Sequence, residues 1–90
     1  MGKAEFRRWA KDHYNFMTPR IKSVFQVNDF YIELSEGSDF GHSPMYGVTV
    51  FQETDGAFRG YGLDNNLNKL FHDYDMAREY VTYLKKERLN

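Results

Sequence analysis

The segment MYGVTVFQETDGAFRGYG, residues 45–62, decides the fold of this chain. At its centre, Asp55-Gly56 is the signal for a type I′ turn, because both central positions of that turn need a positive φ, which Asp tolerates and Gly accepts freely. A two-residue loop at this point pairs Phe51 with Gly60 across the two strands. The segment therefore predicts an antiparallel hairpin, with strands at about 45–53 and 57–62.

Both faces of this predicted hairpin carry large apolar side chains. One face presents Tyr46, Val48, Val50 and Tyr61, and the other presents Thr49, Phe51 and Phe58. A sheet with one side in water would instead alternate apolar with polar residues. We therefore expect each face to be covered, either by this chain or by a partner. We also expect the Phe51 ring to lie over Gly60, with Gly60 and Gly62 providing packing space beneath it.

Upstream of the hairpin, the alternation of apolar and polar residues from Phe30 to Ser35 predicts a third strand at 30–35. The turn-forming residues at 36–44 predict a loop. The segment 19–26 allows two interpretations. Thr18-Pro19 suits the start of a short helix, since Thr is a good N-cap and Pro a good first helical residue, and a strand is the alternative.

Two helices are predicted at the ends of the chain. A helix at about 3–17 follows from the three- and four-residue spacing of its apolar residues, and Thr18-Pro19 ends it. A second helix at about 74–88 has Asp73 at the N-cap position. Its expected buried stripe consists of Met76, Ala77, Tyr80, Val81 and Leu84. The segment 63–71 between hairpin and helix is either a short helical turn or an extended connection.

These elements predict one α+β domain spanning residues 1–90. Its architecture is a three-stranded antiparallel β-meander, with an N-terminal helix and with the C-terminal amphipathic helix packed on the sheet. The N-terminal helix either covers the second face of the sheet or reaches a partner. Because a three-stranded sheet has two edges close to its centre, pairing between two copies is a further hypothesis.

Composition and charge exclude several functional classes. The chain has no cysteine, which removes disulfides, thiolate metal sites and a thiol nucleophile, so that a cytoplasmic protein is the default expectation. No apolar run approaches the length of a membrane span, and no membrane association is expected. The net charge of −1 gives the molecule as a whole no attraction to nucleic acid.

Candidate catalytic and metal-binding residues are few. The histidines His13, His42 and His72 have no pair at the short spacing typical of metal ligands. Asp73 and Asp75 are explained by capping and by the helix dipole rather than by acid–base chemistry. The sequence therefore predicts no enzyme, no metal site and no cofactor.

Binding surfaces are the remaining possibility. Lys3, Arg7 and Lys11 recur every four residues on the first helix, with Arg8 beside them. We expect a non-enzymatic protein-interaction module, and the size and composition suggest an accessory or inhibitory factor of the kind that phages and mobile elements encode. The residues expected to contact the partner protein are Arg7, Arg8, Lys11, Phe51, Phe58 and Arg59.

The alternative function is nucleic-acid binding. It would use the cations Arg7, Arg8, Lys11 and Arg59 together with aromatic residues of the sheet. The aromatic residues concerned are Tyr31, Phe51, Phe58 and Tyr61, which the predicted pairing does not place on one face. Burial of these rings in the core beneath a helix is the simpler interpretation.

Overall fold

The computed structural model describes residues 2–13, 20–39 and 43–90. Within these ranges the chain forms two α-helices and five strands, and a π-helical turn follows the second helix. In chain order they are α1 (Lys3–His13), β1 (Arg20–Val27), β2 (Phe30–Asp39), β3 (Ser43–Thr54), β4 (Ala57–Gly60), β5 (Lys69–Phe71), α2 (Tyr74–Tyr83) and the π-helical turn Leu84–Arg88.

The strands form one antiparallel sheet in the order β1-β2-β3-β4, and β5 also pairs with β3. The predicted α+β class and the two terminal helices are confirmed. The expected number of strands was wrong, because the described sheet has five strands rather than three. β4 pairs with β3 at 51–54 and β5 pairs with it at 46–48, so these two short strands lie along the same side of β3.

The hairpin around Asp55-Gly56 has the predicted turn and register. Both turn residues have positive φ, 52° and 77°, and Phe51 lies opposite Gly60. β4 ends at Gly60, two residues earlier than expected. The reason is local: the N–H groups of Tyr61 and Gly62 both donate to the carbonyl oxygen of Val50, at 3.0 and 2.9 Å, which ends regular pairing.

The segment 19–26, for which a helix and a strand were both possible, contains a strand, because β1 pairs with β2 along Arg20–Val27. The two strands are joined at Asn28-Asp29, where Val27 lies opposite Phe30 and Asn28 has a φ of 54°. Asn tolerates this left-handed conformation better than most residues. The Asn-Asp pair between two apolar runs was therefore an overlooked hairpin signal in the sequence.

The predicted loop at 36–44 is largely paired strand. β2 continues to Asp39 and β3 begins at Ser43, so that Glu36 lies opposite Tyr46 and Gly37 opposite Met45. Cross-strand pairing overrides the weak turn preferences of these residues, since the strand propensity of a residue depends strongly on its neighbours. His42 lies outside the described residues.

The connection from β4 to β5 is organised around Gly62. A Cβ atom at Gly62 would collide with the side chain of Asn68 and lie 3.1 Å from the Cβ of Val50, whereas one at Gly60 would meet no atom within 4 Å. The expected role of both glycines beneath Phe51 was therefore wrong. Gly62 instead makes room for Asn68, and Gly60 is not required for packing. The extended alternative for this segment is correct at β5.

The helix α2 begins where the sequence predicted. The carboxylate of Asp73 accepts hydrogen bonds from the N–H groups of Asp75 and Met76, at 2.8 and 3.2 Å. The predicted stripe packs on the sheet except for Met76, which is exposed. The core on this face consists of Ile32, Leu34, Val48, Val50, Leu67, Ala77, Val81, Leu84 and Leu89.

The end of the C-terminal helix is widened. Regular α-helix ends at Tyr83, and the N–H of Leu89 donates to the carbonyl of Leu84 at 2.8 Å, five residues back. A π-helical turn of this kind carries more residues per turn than an α-helix. Both Leu84 and Leu89 are buried as a result, and the chain end remains attached to the core.

The helix α1 covers the opposite face of the sheet. Phe6 and Ala10 are fully buried there, in one cluster with Tyr31, Phe51 and Phe58. Of the two possibilities for the first helix, covering the sheet or reaching a partner, the structure therefore shows the first. The described helix ends at His13, and the predicted continuation over 14–17 lies outside the described residues.

Candidate functional site

The two aromatic residues predicted to contact a partner lie inside the protein. Phe51 is 2% exposed and Phe58 is 8% exposed, and the Phe6 ring lies within 5.3 Å of both ring centroids. Phe6 also stacks on Tyr31, with centroids 5.1 Å apart. The apolar character of this face is therefore accounted for by the chain's own helix, and it does not by itself require a partner.

The four predicted cations do not form one surface. Arg7 donates to the carbonyl oxygen of Ile21 at 3.1 Å, on the β1 side of α1, whereas Arg8 faces the β3–β4 turn. Arg59 lies opposite Gln52 on the sheet face that α2 covers. Lys11 is exposed on α1. This separation gives no support to the nucleic-acid hypothesis, which stays a prediction.

An open groove of about 420 Å³ lies between α1 and the β3–β4 turn. Its floor contains the side chains of Trp9 and Phe58. Around them stand residues of α1 and of the turn: Glu5, Arg8, Asp12, Gly56 and Ala57. A volume of this size is within the range of sites that accept a ligand or a side chain.

The groove takes its shape from the aromatic cluster beneath it. The ring of Trp9 lies 5.5 Å from Phe51 and 5.4 Å from Phe58, measured between centroids, at angles of 78° and 48°. The His13 ring packs against the Trp9 ring, with ring centroids 4.2 Å apart. These contacts pack the Trp9 ring against the aromatic cluster, and Trp9 and Phe58 both line the groove.

The rim of the groove is charged on its α1 side. Glu5, Arg8 and Asp12 are separated by three and four residues, which places them along one side of the helix. All three side chains are exposed. Arg8 and Phe58 belong to the predicted site, whereas Glu5, Trp9 and Asp12 were not predicted. Their spacing along α1 was the available signal, but the sequence does not show which side of α1 meets the turn.

Two buried ionisable side chains, Glu33 and Tyr31, lie on the α1 side of the sheet. Burial raises the pKa of Glu33, whose side chain is 4% exposed and whose Oε2 has no hydrogen-bond partner among the described residues. Burial and the neighbouring Glu53 carboxylate raise the pKa of Tyr31 to about 12. The Tyr31 hydroxyl donates to Glu53 at 3.1 Å and accepts from Gln26 at the same distance.

Glu33 lies in a row between Val24 and Thr49, neither of which is ionisable. Across 2–13, 20–39 and 43–90, no three His, Asp or Glu side chains are grouped closely enough to hold a metal ion. Nor does the described chain contain a helix with the length and apolar character needed to cross a bilayer.

Comparisons with known proteins gave no relative: no protein-family model, curated protein or solved structure matches this chain significantly.

Proposed function

We propose that this protein is a small non-enzymatic protein-interaction module, and that the groove between α1 and the β3–β4 turn receives a side chain of the partner. The observation that carries the proposal is the position of Trp9, which is half-buried at the groove floor and held by Phe51 and Phe58. A partner can bind in the groove while α1 remains packed on the sheet, because the groove is open in this arrangement.

The physical argument is preorganisation. Trp and Arg are enriched among the residues that dominate the free energy of protein binding, and they are most effective in pockets surrounded by a polar rim. A side chain already fixed in the free protein loses little conformational entropy on binding. Trp9 meets this condition, and Arg8 stands beside it on the rim.

A peptide selection tests the proposal and needs no identified partner. Peptides are selected from a random library against the immobilised protein, and the binding site of each is mapped by changes in backbone amide NMR shifts. We expect the largest changes at α1 and the β3–β4 turn. Peptides that bind with no change in either segment would contradict the groove as the site.

A matched pair of variants sharpens this test. Asp12→Lys reverses a charge on the groove rim, whereas Glu79→Lys makes the same charge change on an exposed position of α2. We expect only Asp12→Lys to change the affinity for the selected peptides, by roughly fivefold, as is typical for charges at an interface rim. Equal effects of the two variants would indicate bulk electrostatics instead of groove binding.

We retain two further parts of the proposal on grounds of size and composition alone. These are a cytoplasmic location, for which the absence of cysteine is the support, and an accessory or inhibitory role in a phage or mobile element.

A further inference from the structure

The strand β1 is an edge of the sheet. In the described part of the chain it pairs with β2 and with no other strand. An edge strand presents unpaired N–H and C=O groups along its free side, and these can accept another extended chain. The carbonyl of Ile21 is already occupied by the Arg7 guanidinium, at 3.1 Å. Pairing with β2 is irregular between Ile21 and Ser23, so the regular part of the available edge is the stretch 23–27.

A row of cations alternating with aromatic rings lies along this edge, on the face that α2 covers. The Lys22 ammonium is 5.3 Å from the Tyr74 ring centroid, and the Arg78 guanidinium is 5.8 Å from the same ring. Arg78 is also 5.9 Å from the Phe25 centroid, and the Lys85 ammonium is 5.3 Å from it. We call these five residues the cationic row.

The cationic row carries positive charge that carboxylates in the described chain only partly balance. Lys22 forms an ion pair with Glu36 at 3.7 Å. Among the described residues, neither Arg78 nor Lys85 forms an ion pair. Cation–π contacts with half-buried rings restrict the long side chains, so that an anionic group can bind them with a reduced entropic cost.

We propose that the β1 edge binds an extended acidic segment of a partner protein as an additional strand. The main chain of the segment would pair with the free side of 23–27, the regular part of β1. Its side chains on the α2 face would place carboxylates beside Lys22, Arg78 and Lys85. This is the strand-addition mode of recognition, in which the backbone provides affinity and alternate side chains provide specificity.

Charge distinguishes this occupant from a second copy of the chain. Pairing of two β1 edges would bring Arg20 and Lys22 of each copy close to the cationic row of the other. Like charges at an interface oppose association, and lysine on an edge strand is a known protection against pairing between copies. The cationic edge therefore argues against the dimer expected from the sequence.

Two features also favour a polypeptide over a nucleic acid. Only a polypeptide main chain offers donors and acceptors that match those of an edge strand. In addition, Asp75 and Glu79 line an open groove together with Arg78 on the outer side of α2. A peptide can place separate carboxylates beside the cations, whereas a continuous phosphate backbone would also pass close to Asp75 and Glu79.

The first test uses a defined probe. A capped, fluorescently labelled octapeptide of alternating Glu and Val places all four carboxylates on one face of a strand. Its binding to the full chain is followed by fluorescence anisotropy, with the Lys-Val octapeptide as the charge control. We expect binding of the Glu-Val peptide only. Absence of binding, or equal binding of the two peptides, would overturn the proposal.

The second test uses matched charge reversals at neighbouring positions. Lys85→Glu removes a cation from the Phe25 ring, whereas Lys86→Glu makes the same change in net charge on an exposed residue that is not part of the cationic row. We expect Lys85→Glu to weaken Glu-Val peptide binding by roughly three- to tenfold and Lys86→Glu to change it little. Equal effects of the two variants would show attraction by net charge alone and reject the site.

The third test addresses the main chain and the alternative occupants. In an extended peptide, alternate backbone N–H groups point to opposite edges, so methylation of the nitrogens on the edge that faces β1 should abolish binding. Bound peptide should also slow amide hydrogen exchange within 23–27. If the peptide methylated on one edge and the peptide methylated on the other edge both still bind, strand addition would be excluded. Preferential binding of a single-stranded oligonucleotide that depends on Lys85, or a dimeric mass for the free protein, would assign the edge to another occupant and overturn the proposal.

This inference is independent of the groove proposed above. Asp12→Lys should leave Glu-Val peptide binding unchanged, and Lys85→Glu should leave binding at the α1 groove unchanged, so that either proposal can fail alone.

Discussion

The side-chain oxygen of Asn68 accepts a hydrogen bond from the backbone N–H of Val50, with a donor–acceptor distance of 2.9 Å. This bond occupies the position on β3 between the end of β4 and the beginning of β5. The Asn68 side chain thus satisfies the Val50 N–H at a point where neither β4 nor β5 pairs with β3. The short strands β4 and β5 can therefore share one side of β3.

We predict that Asn68→Ala destabilises the protein by about 1–3 kcal/mol, because the Val50 N–H is left without a partner in a buried strand. Chemical denaturation measures the change. Asn65→Ala provides the control, since the Asn65 side chain donates to the Tyr61 carbonyl from an exposed position and its loss should cost less. A larger loss of stability for Asn65→Ala than for Asn68→Ala would contradict this account.

The two glycines that follow the hairpin should respond differently to an added methyl group. Gly62→Ala forces the Asn68 side chain away from Val50 and should destabilise the protein by about 1–3 kcal/mol, as overpacking typically does. Gly60→Ala meets open space and should change stability by less than about 1 kcal/mol. Thermal unfolding of both variants tests this. Similar losses of stability would show that Gly60 does have a packing role.

We predict that Phe6→Ala destabilises the protein by about 3–5 kcal/mol, the range typical for removing a fully buried aromatic side chain. Phe6→Leu should cost less because it retains most of the apolar volume. Trp9 is the only tryptophan, so its fluorescence reports directly on the docking of α1. A red-shifted emission is expected if α1 leaves the sheet. Unchanged stability of Phe6→Ala would mean that α1 is not part of the core.

The buried Glu33 predicts a pH dependence of stability. Burial raises its pKa above the ordinary value of 4.5, so its contribution to the unfolding free energy is fully present below pH 4.5 and is lost as the pH rises through the folded-state pKa. Glu33→Gln keeps a neutral side chain at every pH. The variant should therefore gain stability relative to the natural protein as the pH increases above 4.5.

Urea denaturation of both proteins between about pH 4 and pH 8 measures this difference, since that range begins below the ordinary pKa of a glutamate and extends above it. Glu79→Gln, at an exposed carboxylate, is the control and should show no such trend. A stability difference for Glu33→Gln that is constant over this pH range would contradict burial of the ionisable group.

Local chemistry made several elements predictable. Asp55-Gly56 determines the hairpin because only a few residues accept two consecutive positive φ values, and the turn then fixes which residues face each other. Asp73 likewise determines the start of α2 through its two hydrogen bonds to the first turn. In each case the interaction joins residues close in the chain, which a sequence displays directly.

Pairing between distant residues was less predictable. β1 was ambiguous because Thr18-Pro19 is compatible with either a helix or a strand. β5 was missed because three residues carry too little periodicity to indicate a strand, and its partner lies more than twenty residues earlier in β3. Residues 36–39 are strand instead of the predicted loop because they pair with residues 43–46 of β3.

The sequence by itself determined the hairpin, its register, the two apolar faces and the positions of both helices, because all of these follow from turn chemistry and from side-chain periodicity. Only the tertiary structure decided that α1 seals Phe51 and Phe58. It also decided that the groove forms beside Trp9, and that Lys22, Arg78 and Lys85 meet along one edge. The physical reason is that burial and charge clustering depend on which elements pack together, and residues more than forty positions apart carry no local signal of their contact.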